Sequence, residues 1–248
     1  MDMGLRGRVA AIAGGTSGLG LATAEALRAE GATVAVCGRS ADRGDAIGDR
    51  VDHVATVDVT DHDAATAWID ELAAQLGALH ILVANAGGPP QGMATAFDVA
   101  DYRAAVELSL LSQINLVQAA LPHLRRAGWG RILFVTSKSV KQPIPGLALS
   151  NTARAGILGY AKSLVADLGA GNITVNVLAP GSTRTARLEQ LAGDDVEAGL
   201  EAMAANIPLG RVGRPEEFGA AATFLASERA SFVTGVVLPV DGGEIQGL

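Results

Sequence analysis

Four glycines, Gly14, Gly15, Gly18 and Gly20, lie between an apolar run, Val9–Ala13, and an alanine- and leucine-rich stretch from Leu21 to Glu30. Glycines at such a junction let the backbone turn tightly and come close to a ligand. A helix starting just after them offers free N–H groups to an anion. The chemistry implied is a dinucleotide cradle, and it requires a strand–helix–strand unit to hold the loop in place. That unit is legible. Gly31 suits a helix C-cap, and Thr33–Cys37 reads as a buried strand.

The elements that must position this loop recur along the chain. Strand-like stretches fall near 8–13, 33–37, 53–58, 79–84, 131–136, 173–178 and 236–240, with helix-like stretches between them. Apolar strands alternating with helices predict an α/β fold of the Rossmann type. It is a doubly wound parallel sheet of about seven strands with helices on both faces. With 248 residues, 49% of them hydrophobic, and no Pro/Ser-rich seam, repeat or low-complexity block, the expectation is a single domain over 1–248.

The spacing Gly-x-x-x-Gly-x-Gly resembles that of the short-chain dehydrogenase/reductase family. Three further motifs extend the resemblance over almost the whole chain. Asn85-Ala86-Gly87 follows the apolar run Ile81–Ala84. Pro180-Gly181-Ser182-Thr183-Arg184-Thr185 follows Thr174–Ala179. Gly235–Gly243 looks like the family's last strand. The resemblance implies that Gly14, Thr16, Ser17, Gly18, Leu19 and Gly20 hold a nicotinamide dinucleotide. It further implies that Asn85, Ala86 and Gly87 line its cleft, and that Pro180, Gly181, Thr183 and Thr185 lie at the nicotinamide carboxamide.

Cofactor choice in such folds is read at the end of the second strand, where an acid accepts from the ribose hydroxyl of NAD and a base meets the NADP phosphate. Here Gly38 stands at the acid position, followed by Arg39, whose planar fork suits a phosphate, and by Ser40. NADP is expected over NAD, although Ser17 supplies no second base in the glycine loop. Asp58 and Val59 resemble the family's adenine-contacting segment; Asp58 could equally cap a helix starting near Asp61.

Members of the family carry a serine after the fifth strand, a tyrosine thirteen residues on, a lysine four further, and an asparagine upstream. Ser137 occupies the serine position, but the same counting reaches Ser150, Arg154 and Ser109. The chain thus looks like a divergent branch similar to 3-oxoacyl-acyl-carrier-protein reductases. Ser150 and Arg154, four apart on a helix, both face the cleft. Arg154 is expected to hold the ribose, but a guanidinium cannot relay a proton. Ser137, Ser150 and Arg154 are the candidate catalytic set. Lys138 and Lys141 are alternative acids or surface lysines, and Tyr102 and Tyr160 read as structural. The expected reaction is hydride exchange on a carbonyl/alcohol pair. A silent nucleotide-binding subunit and a non-redox enzyme on the same scaffold are the alternatives.

The remaining features mostly exclude. A net charge of −7 with 19 scattered basic residues gives no footprint for nucleic acid. There is no uninterrupted apolar run of membrane-spanning length and no signal-type start, so the expectation is a cytoplasmic protein. His53, His62, His80 and His123 lack metal-ligand spacing, and Cys37 reads as a core residue. The stretch from Ser182 to Pro208 is expected to be a lid, whose Leu188, Leu191, Met203 and Ile207 suggest a partly apolar small-molecule substrate. The resemblance also implies a homotetramer built on helices around 101–127 and 150–168.

Overall fold

The computed structural model describes residues 2–247. Seven parallel strands, β1 (Val9–Ala13), β2 (Thr33–Gly38), β3 (His53–Thr56), β4 (Ile81–Ala84), β5 (Gly130–Val135), β6 (Ile173–Pro180) and β7 (Val237–Val240), form one sheet. Its order is β3-β2-β1-β4-β5-β6-β7. The order reverses between β1 and β4, so a crevice opens at their carboxyl ends, where open α/β sheets bind ligands. β3 ends at Thr56, which leaves Asp58 and Val59 in a loop; β6 runs on to Pro180.

The helices are α1 (Gly18–Ala29), α2 (Ala41–Ile47), α3 (His62–Leu76), α4 (Val99–Val106), α5 (Ser112–Ala127), α6 (Ala148–Leu168), α7 (Ala186–Ala192), α8 (Val196–Ala204) and α9 (Pro215–Ala226). Successive strand residues point to opposite faces, and here both faces are buried. Val9, Ala11 and Ala13 pack with Trp68, Ile69, Leu116 and Leu164 from α3, α5 and α6. Ala10 and Ile12 pack with Leu21, Leu27, Phe218 and Ala222 from α1 and α9. α1 and α9 touch through Gly219, where a Cβ would stand 2.5 Å from the Ala22 carbonyl oxygen.

α4 and α5 are joined by a π-helical turn, Glu107–Leu111. Together they make one rod of 29 residues, Val99–Ala127, that by length and composition could cross a membrane. That qualifies the expectation drawn from uninterrupted apolar runs. The rod is a core helix, with Leu116, Val117, Ala120 and Leu124 buried against the sheet.

At the opposite end of the sheet from the crevice, the Arg8 and Arg131 guanidiniums each lie 4.0 Å from the Trp129 ring. Glu228 answers both, 3.0 Å from Arg8 and 3.9 Å from Arg131. Arg131 is fully buried, and burial lowers its pKa to about 10. The sequence pattern does not reveal this cluster.

Candidate active site

β1 runs directly into the glycine loop. Gly14 (φ +59°) and Gly18 (φ +54°) adopt left-handed backbone that side chains resist. Gly20 is confined for a different reason: a Cβ there would lie 2.2 Å from the Gly14 carbonyl oxygen. Ser17 caps α1 with extended backbone, but its side chain makes no capping hydrogen bond. The first-turn N–H groups of α1 are therefore left for an anion, which fits a pyrophosphate. Asn85 ties this loop to the end of β4, its Nδ2 donating to the Ala13 and Gly14 carbonyls at 3.2 and 3.3 Å. From the far end of the chain, Thr185 closes over the loop, with its Cγ2 at 3.4 Å from where a Gly18 Cβ would be. Thr16 and Thr183 are also buried. Pro180 ends β6, and the Gly181 N–H donates to the Val240 carbonyl.

At the other end of the cleft, a Cβ on Gly38 would stand 2.4 Å from Thr16 Oγ1. A side chain there must displace that of Thr16. Arg39 is exposed beyond it, and the Ser40 oxygen caps α2 by accepting from the Arg43 N–H at 3.3 Å. Asp58 does not cap α3; Asp61 does, accepting from the Ala64 N–H. Asp58 Oδ1 instead accepts from the Thr60 N–H and hydroxyl at 3.0 and 2.8 Å. Partial burial pushes its pKa up, but these two donors and the Arg39 charge outweigh it and hold it below the usual carboxylate range. Val59 beside it is buried. Cys37, under the loop, is raised to about 12 by burial, against a smaller lowering from the Gly14 backbone. It is a core thiol, as its position on β2 suggests.

Ser137 follows β5 and accepts from the Ser139 N–H at 3.1 Å, which leaves its own proton to donate. Ser150 lies in the first helical turn of α6 and is buried. Arg154 lies one turn on, buried, with most of its guanidinium bonded to backbone. One terminal nitrogen donates to the Val135 and Thr136 carbonyls at 3.1 and 3.2 Å. The other donates to the Ala86 and Gly87 carbonyls at 3.4 and 3.2 Å. All four terminal N–H groups have backbone acceptors, which leaves Nε–H as the one guanidinium donor for a ribose hydroxyl. Burial lowers the Arg154 pKa to about 10, and it still carries its charge at neutral pH.

A sequence model described as enoyl-(acyl carrier protein) reductase matches residues 13–244. The chain belongs to the short-chain dehydrogenase/reductase family. It is 39% identical over 244 residues to cis-4-hydroxycyclohexanecarboxylate dehydrogenase of Sinomonas cyclohexanicum, covering 95% of this chain and 96% of that protein. It is 33% identical to the 3-oxoacyl-[acyl-carrier-protein] reductase of Chlamydia muridarum over 98% of this chain and 99% of that one. The crystal structure of L-sorbose reductase from Gluconobacter frateurii, complexed with NADPH and L-sorbose, superposes with a TM-score of 0.95. Its identity is 30%, with full coverage of both chains.

Within this short-chain dehydrogenase/reductase the two tyrosines stand away from the cleft. Tyr160 packs edge-on against Phe134, and Tyr102 against Phe97. Of the two candidate lysines, Lys141 is exposed, whereas Lys138 is paired with Glu244 and lies 3.4 Å from Ser182 Oγ. Ser109 sits in the π turn, fully buried, and its Oγ has no partner. Gln113 is a residue that sequence reasoning missed. Its Nε2 donates to the Ser109 carbonyl at 3.1 Å, and its Oε1 is unpartnered. A π turn displaces carbonyls from the helical ladder, and Gln113 and Ser112 recover two of them, with Ser112 Oγ donating to Leu108 at 2.6 Å. The only available signal was a glutamine on the apolar stripe of a helix.

The expected lid is two helices, α7 and α8, rather than one, and Arg184 bonds Glu189 on the first and Glu197 on the second. Leu188, Leu191 and Met203 are not fully buried. Ile207 turns away to pack at 2.8 Å from where a Gly242 Cβ would be. Among the described residues, no group of three or more His, Cys, Asp or Glu could hold a metal.

Proposed function

We propose that this chain is one catalytic domain, an NADP-dependent oxidoreductase acting on the carbonyl/alcohol pair of a small, partly apolar molecule. The observation that carries the reading is the missing acid at Gly38 beside an exposed Arg39. An acid would repel a 2′-phosphate, and the glycine in that position supplies none; an arginine suited to pair with the phosphate stands next to it. The glycine loop, the uncapped start of α1, Asn85, Asp58 and Thr185 would hold the rest of the dinucleotide. When bound, NADPH supplies a hydride. The NADPH complex of the sorbose reductase, at 30% identity, supports the same choice.

The chain's own residues then manage the substrate oxygen. Ser137 donates its hydroxyl proton to that oxygen, since its acceptor side is already engaged by Ser139. Ser150, with an ordered water, passes a proton where a longer phenol is absent. Arg154 keeps a positive charge below the site and locks the loops after β4 and β5 to α6, which favours negative charge developing on oxygen. We place the enzyme in the cytoplasm as a homotetramer built on the α4–α5 rod and α6. Leu111 on the rod is 39% exposed, which supports this. Gly156 does not serve that interface, because it makes room for Leu110 of the same chain.

The test is direct: titrate purified protein with NADPH and NADH, then measure turnover on a panel of carbonyl compounds. Tighter NADPH binding with turnover by the protein alone is the expected result. A second reading, a silent nucleotide-binding subunit, is favoured by the engagement of both Arg154 terminal nitrogens with backbone. It predicts nucleotide binding with turnover only when an active homologue is present.

A further inference from the structure

Beside Ser137, a carboxylate already sits in a prepared seat. Glu244, in the segment that follows β7, accepts from the Ser182 N–H at 2.9 Å through Oε2 and from the Ser182 hydroxyl at 3.1 Å through Oε1. Lys138 Nζ pairs with the same Oε1. The three donors come from the loops after β5 and β6, neighbouring strands whose carboxyl ends form the rim of the cleft. Lys138 is the residue after Ser137, about 3.8 Å along the chain. The side chains are mostly withdrawn from water, at 19% exposure for Lys138 and 13% for Glu244.

Such an arrangement is costly to leave empty. A largely buried ammonium without a counter-charge is strongly unfavourable, so something anionic must occupy the seat when no ligand is bound. Glu244 does so from a segment outside any regular element, held otherwise by its own turn, by the Leu209 N–H on the Gly242 carbonyl at 3.3 Å and by the Gln246 N–H on Gln142 Oε1 at 3.2 Å. Exchanging it for another carboxylate conserves the charge balance, because one carboxylate is desolvated as the other is hydrated. A neutral ligand offers no such exchange.

We propose that Lys138 and Ser182 form the subsite for a carboxylate carried by the substrate, and that Glu244 is its internal stand-in, displaced on binding. The substrate class is then a small hydroxy or oxo acid, reacting at Ser137 and anchored by its carboxylate at Lys138. This rests on the oxidoreductase reading but not on the nucleotide, since the chain alone builds the seat.

The test is calorimetric binding of cyclohexanecarboxylate and cyclohexanecarboxamide to wild type, Glu244→Gln, Lys138→Met and Ser182→Ala, with and without saturating NADPH. The wild type should prefer the carboxylate by about tenfold or more, the worth of one charge-assisted hydrogen bond. Glu244→Gln should tighten the carboxylate several-fold and leave the amide unchanged; Lys138→Met should erase the preference, and Ser182→Ala should reduce it. Equal affinity for both probes in wild type and Glu244→Gln overturns the subsite, as does a preference that survives Lys138→Met or an absence of carboxylate binding in Glu244→Gln. Failure of NADPH to bind while the carboxylate preference holds overturns the cofactor reading and leaves the subsite standing.

Discussion

Arg154 donates to the Gly87 carbonyl at 3.2 Å, and this bond joins α6 to the loop after β4 across the floor of the cleft. The other acceptors, Ala86, Val135 and Thr136, belong to the loops or strand ends on either side. Arg154 therefore acts as a staple between the two adjacent strand ends that frame the cleft. Its charge is retained, and four of its five N–H donors are engaged.

That geometry predicts a stability defect for Arg154→Met. Four carbonyls lose their donors, and even partial solvation should leave a loss on the order of 3 kcal/mol. Arg154→Lys, with three donors and no fork, should recover part of it. Urea denaturation without nucleotide reads this directly. An unchanged midpoint in Arg154→Met would return the residue to a purely ligand-binding role.

Arg39→Ala should weaken NADPH binding by roughly 1.5–3 kcal/mol, the range for a hydrogen bond to a charged group. NADH affinity should hardly move, because NADH has no 2′-phosphate. Fluorescence titration of both nucleotides separates the outcomes. A parallel loss for both would mean that Arg39 shapes the cleft rather than reading the phosphate.

Ser150→Ala should lower kcat about a hundredfold or more while leaving nucleotide affinity in place, as expected when a proton-transferring group is removed. The double change Ser150→Tyr with Arg154→Lys asks whether the scaffold lacks only its phenol. A rise in carbonyl reduction would say so. Loss of substrate binding would show that the ring fills space a substrate needs, and full activity in Ser150→Ala would move the proton path elsewhere.

Glu217 gives a pH prediction. Its bonds to Arg211, and then to the Arg214 N–H, depress its pKa to about 2 in the folded chain, from an ordinary value of 4.5. A depressed carboxylate contributes stability above its unfolded pKa and loses it as pH falls, here between about 4.5 and 2. The pair is partly exposed, so solvent screening keeps the effect below about 1 kcal/mol. Glu217→Gln should flatten the acid limb of the stability profile by that amount; an unchanged limb would show the ion pair to be without weight.

The strand positions along the chain, the doubly wound architecture and the glycine loop were legible because each rests on local pattern. Apolar runs, a glycine where φ is positive and a following helix are chemical facts about neighbours in the chain. The same holds for Ser137 at the end of β5 and for Gly38 and Arg39 at the end of β2, since strand ends are readable from strands.

Tertiary structure decided what the long-range partners do. Arg154 was readable as a cation on the cleft side of a helix, but only folding brings four carbonyls from residues 86, 87, 135 and 136 within its reach. Gly38 was readable as a missing acid, but only the fold sets the Thr16 side chain against it. Lys138 and Glu244 are 106 residues apart in sequence, and no periodicity connects them. The reason is physical. A periodic pattern reports which face of an element is buried, whereas a buried polar group must find a partner of the right charge and geometry, and the chain supplies that partner from wherever the fold returns it.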